Sequence, residues 1–232
     1  MKRTALMEML GKYPLFTLNE FVRLTGFSPK YAWVCLSRLK KEGALFQVER
    51  GKYTTQDDPL TFTSYIVVPS YISFWTALRF HGLTEQLPAD IMVASHKPKP
   101  SLSIKGTKIR FFKMRHMWGY AKYRHENFDI FVADKEKAIL DSVLLKNVPF
   151  DEIAKAIKEI NPEKLAEYAI KSGNKAAMKR IGYLIDSTGR NAKKLLKHID
   201  NNYIPLDWSY KQTGKRIKEW KIIENRSLHD ID

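Results

Sequence analysis

One cysteine, Cys35, stands in the 232-residue chain, so neither an internal disulfide nor a zinc site built on cysteines can form. The six histidines never fall three or four residues apart, the spacing at which one helix face brings two to a metal, and no structural metal is expected. Long apolar runs are missing too: none approaches the roughly 18 residues of a membrane helix, and the run Tyr65 to Val68 stops at Pro69. Charges at Lys2, Arg3 and Glu8 come too early for a secretory signal, so a cytoplasmic protein that contacts no membrane is expected. Internal repeats and low-complexity tracts are absent. What is abundant is positive charge.

Lys and Arg number 40 against 25 Asp and Glu, a formal net charge of +15 and a pI near 9.7, which points to a polyanionic partner. The excess is uneven. Residues 1–58 carry 10 basic and 6 acidic side chains and residues 59–133 carry 10 and 4, whereas residues 134–200 carry 14 and 10. The last third therefore reads as ordinary helices with mixed-sign surfaces. An apolar content of 44% is enough to build one or two cores.

The first 58 residues read as a helical unit followed by a hairpin. Thr4 is placed to cap a helix ending at Leu10, and Thr17 with Glu20 forms a capping box opening a second helix that stops at Gly26. Ser28 and Pro29 then supply an N-cap and a proline at the first helical position of a third helix, which runs through Lys41 to the stop at Gly43. Ala44–Val48 and Lys52–Thr55 make a hairpin around Arg50 and Gly51. Two helices joined by a short glycine turn and trailed by a hairpin are the element order of a winged helix-turn-helix. Asp57-Asp58-Pro59 marks the junction with the rest, 59–232.

Beyond the junction, Ser70 is placed to cap a helix from Tyr71 to His81. Strands are expected at Ile91–Ala94, Lys108–Lys113, Tyr120–Tyr123 and Phe128–Val132, and Asp134 caps a helix to about Leu145. After 150 the pattern is helical: 151–160, 162–171, 174–186 and 191–199. The final thirty residues show no clear period. The expected fold class is α+β, an N-terminal winged helix-turn-helix followed by a mixed α/β domain with a helical C-terminal part.

At about 100° per residue, Ala32, Cys35, Leu36 and Leu39 gather on one side of the third helix. Lys30, Val34, Ser37, Arg38 and Lys41 lie on the other, with Tyr31 and Trp33 at the margins. The amides that follow Ser28 suit a phosphate, and Arg50 and Lys52 sit at the hairpin tip. Together these residues predict docking on double-stranded operator DNA, the third helix in the major groove and the hairpin along the backbone. One such helix reads a short site, so two copies on an inverted repeat are expected.

Gly26 to Thr55, above all Ser37-Arg38-Leu39-Lys40-Lys41-Glu42-Gly43 and Arg50-Gly51-Lys52-Tyr53, resembles the winged N-terminal domain of AbiEi-type antitoxins. Ile72 to Leu83, Gln86-Leu87-Pro88 and Val132 to Asp141 are similar to that family's second domain, with Thr76 where serine is common and Ala138 where threonine is common. The resemblance implies a DNA-binding autorepressor and antitoxin of a type IV toxin-antitoxin system, linked to phage defence, that counteracts a nucleotidyltransferase toxin with or without binding it. It implies no cofactor and no enzymatic activity.

Sequence patterns of catalysis are scarce. Nucleotidyl transfer needs a Gly-Ser loop before paired aspartates, and the chain contains no Gly-Ser dipeptide. No nucleophile elbow, phosphate-binding loop or dinucleotide fingerprint occurs. Asp129, Asp134, Glu136, Lys137 and Asp141 invite an alternative, a metal-dependent nuclease with a winged-helix targeting domain, against Asp134 as a helix cap with Glu136 in the first turn. His81 reads as a cap or packing residue, His116 and His125 as surface residues. Lys97, Lys99, Lys105, Lys108, Arg110, Lys113, Arg115, Lys122 and Arg124 alternate with Phe111, Phe112, Trp118, Tyr120 and Tyr123, which fits either nucleic-acid stacking or strands with one wet face.

Overall fold

A computed structural model describes residues 2–228. The fold is mixed, with helices and several sheets. In chain order the first elements are α1 (Arg3–Leu10), β1 (Phe16–Thr17), α2 (Leu18–Thr25), α3 (Pro29–Lys41), β2 (Phe46–Glu49) and β3 (Lys52–Thr54). The expected capping box forms at Thr17: Glu20 N donates to the Thr17 hydroxyl and Thr17 N to the Glu20 carboxylate. Thr4 is not a cap. Lys2 occupies the N-cap of α1 and makes no side-chain bond there. Strand β1 has no sequence signal because two residues show no period; it pairs antiparallel with β3, giving a sheet ordered β1-β3-β2. Leu6, Leu10, Phe16, Phe21, Ala32, Leu36, Leu39, Leu45 and Tyr53 form one core under these elements.

Next come α4 (Leu60–Thr63), β4 (Ser70–Ile72), α5 (Phe74–Phe80), β5 (Asp90–Ser95), β6 (Leu102–Ile104), β7 (Thr107–Lys113), β8 (Tyr120–His125) and β9 (Phe128–Ala133). Six of them make a sheet ordered β6-β7-β5-β4-β9-β8. The helix expected from Tyr71 is therefore corrected: Ser70–Ile72 is a strand, and α5 starts only after Ser73. A strand held between two neighbours has both rows of its backbone groups satisfied, which outweighs the local helical pattern. Strands β6 and β7 turn at Lys105 and Gly106, both at positive φ, as a tight hairpin turn requires.

The remainder is α6 (Lys135–Leu145), α7 (Phe150–Ala156), α8 (Pro162–Ser172), α9 (Lys175–Ser187), β10 (Ile204–Pro205), β11 (Lys215–Ile217) and β12 (Ile222–Glu224). The helix expected over 151–160 ends as an α-helix at Ala156, and the one expected over 191–199 is not α-helical. Residues Ile157–Glu159 and Lys193–His198 are 3₁₀ turns. The last strands form a small sheet ordered β10-β12-β11, under which Trp220 is fully buried. No helix among the described residues is long and apolar enough to cross a membrane.

The chain divides into two compact units. One holds the chain up to Tyr71 with Ala89–Met117 and Lys122–Phe131; the other holds Ile72–Pro88, Trp118–Ala121 and the chain from Val132 onward. Residues 1–58 thus share the first unit with most of the large sheet. A second core in that unit joins Val48 of the hairpin to Phe62, Ile66, Val93, Ile104 and Ile109.

Candidate nucleic-acid interface

Gly26, at φ 70°, ends α2 in the left-handed region and turns the chain toward α3. Ser28 caps α3, its hydroxyl accepting from Tyr31 N at 3.4 Å, and Pro29 stands at the first helical position. The Phe27 ring meets Phe21 edge-on at 6.2 Å and Tyr31 at 4.8 Å, which ties the turn to the core and fixes the start of α3. Ala32, Leu36 and Leu39 face that core. Cys35, expected to be buried, is half-buried.

The opposite face carries the residues singled out above. Lys30, Arg38 and Lys41 are exposed, and among the described residues none of the three is in an ion pair. Trp33 is 60% exposed and Tyr31 50%. Val34 and Ser37 lie half-buried between these longer side chains.

The hairpin tip divides the two cations assigned to it. Arg50 is exposed in the turn with Gly51 at φ 79°. Lys52 is half-buried: its ammonium donates to the Ile66 carbonyl and pairs with Glu49 at 3.0 Å. Its charge faces into the first unit because Val48 draws the hairpin onto the second core. Glu49 also binds Lys99. Burial works against the Glu49 carboxylate, but the hydrogen bonds from Lys99 and Lys52 outweigh it and hold its pKa below the ordinary value. A depressed carboxylate adds stability that is complete above its unfolded pKa, near 4.5, and is lost as pH falls through the folded value. Glu49→Gln is accordingly expected to lower stability at pH 7, with the gap to the parent closing as pH falls below the ordinary carboxylate value in urea-unfolding series.

The basic and aromatic residues between 97 and 124 are spread over several strands of the large sheet and the segments between them. In the large sheet β7 lies next to one edge strand, and β8 is the opposite edge. Most of these cations are matched locally. Lys105 pairs with Asp57 above the Phe46 ring, and Arg110 stands 3.5 Å from Asp90. Lys122 and Arg124 share Asp129 at 3.4 and 3.6 Å. Trp118 belongs to the other unit, edge-on to Tyr168 at 4.8 Å.

The acids that suggest a nuclease site are likewise occupied. Asp129 falls in the first unit and the others in the second. Asp134 caps α6 through Lys137 N at 2.8 Å, accepts from the Tyr168 hydroxyl at 2.8 Å and meets Lys164 at 3.0 Å. Glu136 is held by Lys164 at 2.9 Å and by Asn161 N at 3.0 Å. Burial and the bond to Asp134 push the Tyr168 hydroxyl up to about 12. Asp141 is bound by Lys137 and by the Ser73 hydroxyl. His81 ends α5 and donates from Nε2 to the Ala133 carbonyl at 2.7 Å, in keeping with a capping role. His116 is half-buried. His125, expected at the surface, is half-buried and binds Asp58 at 2.7 Å, with Glu126 close by. Sequence reasoning misses that cluster because Asp58 lies more than sixty residues from the other two.

Residues 5–56 match the family model described as transcriptional regulator, AbiEi antitoxin. The match takes in α2, α3 and the hairpin and ends before the segments 72–88 and 132–141, whose resemblance lies outside it. No curated protein matches the chain.

Proposed function

We propose that this chain, matched over residues 5–56 to a family of transcriptional regulators, is a sequence-specific DNA-binding autorepressor. Residues 1–58 act as a winged helix-turn-helix, with α3 in the major groove of an operator and the hairpin tip along its backbone. Residues 59–232 serve antitoxicity in a type IV toxin-antitoxin system whose toxin is a nucleotidyltransferase. One observation carries the reading: the matched span is the span that presents Lys30, Arg38 and Lys41 on exposed positions of α3 and Arg50 at the exposed hairpin tip.

Binding through phosphates releases counterions, so affinity falls by about 0.9 log unit per log unit of salt for each phosphate neutralised. Arg50→Ala is expected to weaken binding to all duplexes and to flatten that slope by about 0.9. Arg38→Ala is expected to cost about 1–3 kcal/mol on the preferred site and little elsewhere. Substitution of Lys52 acts on stability instead, through the Ile66 carbonyl and Glu49. Fluorescence anisotropy with the full chain and the duplex upstream of its own reading frame measures the two binding changes, and urea unfolding measures the effect at Lys52. No salt-dependent binding at low ionic strength rules the reading out.

Antitoxicity is tested in the same full-length background. Removing residues 1–58 would strip Val48 from the second core, so point variants are the cleaner instrument. Arg38→Ala with Arg50→Ala is expected to abolish promoter repression while still protecting cells that express the neighbouring nucleotidyltransferase. Loss of protection with the variant still folded places antitoxicity in the DNA contact.

A further inference from the structure

The outward face of α3 has a restricted chemical vocabulary. Its thirteen residues include no Asn or Gln, the side chains that bond adenine through two atoms, and no Asp or Glu to accept from cytosine N4. Lys30, Arg38 and Lys41 offer donors suited to guanine or phosphate, and Ser37 bonds either donors or acceptors. Val34 is different. At about 100° per residue it lies roughly opposite the buried row Ala32, Leu36 and Leu39, at the centre of the outward face. Its side chain has no polar atom, is half-buried and belongs to neither core.

We infer that Val34 is a specificity-determining residue that reads the 5-methyl group of thymine in the major groove. The inference rests on the docking of α3 proposed above. A centrally placed aliphatic side chain has one favourable partner on the major-groove edge of a base pair, the thymine methyl, because the other recognition groups there are hydrogen-bond donors or acceptors. Against those groups, an isopropyl side chain removes water and returns no hydrogen bond. The cations at Lys30, Arg38 and Lys41 surround Val34 and bring the helix to the groove through the phosphates. With Arg38 also reaching guanine, the helix is built for sites in which guanine and thymine are the bases touched.

The experiment starts from a random duplex library, so the operator sequence need not be known. The full chain selects from that library, and the enriched site is made twice, once with thymine and once with uracil, which lacks only the methyl. The expected result is an enriched site containing thymine, bound about fourfold more weakly for each contacted methyl removed, in line with about 0.8 kcal/mol per buried carbon. Val34→Ala, a half-buried change that leaves both cores intact, is expected to shrink the difference between the two duplexes, since the shorter side chain reaches the methyl less well. Equal binding of both duplexes by the parent chain overturns the inference while the proposed DNA binding stands. A uracil penalty that persists undiminished in Val34→Ala also overturns it, by assigning the methyl to another residue. Failure to enrich or bind any duplex removes the inference together with the function it rests on.

Discussion

Replacing Asp141 by alanine is expected to cost about 3–5 kcal/mol of stability, because it takes the carboxylate away from a buried ammonium. Lys137 and Asp141 sit four residues apart on α6 with side chains fully inaccessible, and the Ser73 hydroxyl donates to the second carboxylate oxygen at 2.8 Å. The Lys137 ammonium also lies 5.0 Å from the centre of the Trp118 ring. Burial pushes the Lys137 pKa down, and Asp141 opposes that shift without cancelling it. The unfolded chain therefore binds more protons than the folded one below the unfolded lysine value of about 10.5, and stability rises with pH toward it. Without the carboxylate the depression deepens, so Asp141→Ala is expected to regain stability as pH rises toward the unfolded lysine value. Urea unfolding followed by circular dichroism at several pH values measures both quantities. A paired change, Lys137→Met with Asp141→Leu, removes both charges and is expected to recover most of the loss. A loss under about 1 kcal/mol in the single variant would mean that water reaches the pair after all.

Gly182→Ala is expected to be the second most damaging change. Gly182 lies on α9 directly beneath Trp220, and a Cβ there would stand 2.0 Å from Cζ3 of the indole and 2.5 Å from Cη2. The ring has little room to withdraw, since Trp220 is fully buried and its Nε1 donates to Asp186 at 3.2 Å, one helical turn along α9. Helix α9 is packed against α6 and α8 and is equally confined. Overpacking a tight core usually costs about 1–3 kcal/mol, and both surfaces being fixed places this site at the upper end. For a chain of this length that is a fall in melting temperature of about 6–12 °C by scanning calorimetry. Adding Trp220→Leu to Gly182→Ala is expected to restore part of it. A fall of less than about 2 °C would show that the indole shifts freely.

Both positions show where reading the chain alone stops. Glu136, Lys137 and Asp141 read as the ordinary polar residues of a capped helix, and the cap at Asp134 is where the sequence puts it. What cannot be read is that α6 is buried from Glu136 through Val143, so that two of its charges face each other in the dry and a third faces Lys164. Their partner Ser73 stands 68 residues before Asp141 in the chain. That Trp220 must pack somewhere is legible from its type, but its seat on Gly182 depends on three short strands whose pairing leaves no periodic trace. Lys52 repeats the pattern in the candidate interface. Its position in the hairpin is legible, while the direction of its ammonium is set by Ile66 and Glu49.

Local chemistry determined the elements that close on themselves. The box at Thr17 and Glu20, the caps at Ser28, Asp134, Asn161 and Asn174, and the left-handed glycines Gly26 and Gly173 each satisfy backbone groups within a few residues, so the bounds of α2, α3, α8 and α9 follow from neighbours in sequence. The outward face of α3 was legible for the same reason, since one buried row fixes the opposite one. Tertiary structure alone decided that Ser70–Ile72 is a strand, that the cations of β7 and β8 lie apart across the sheet, and that the hairpin is fastened to the second core. In each of these cases the neighbouring strand or core comes from a distant part of the chain, and no local pattern encodes which one it will be.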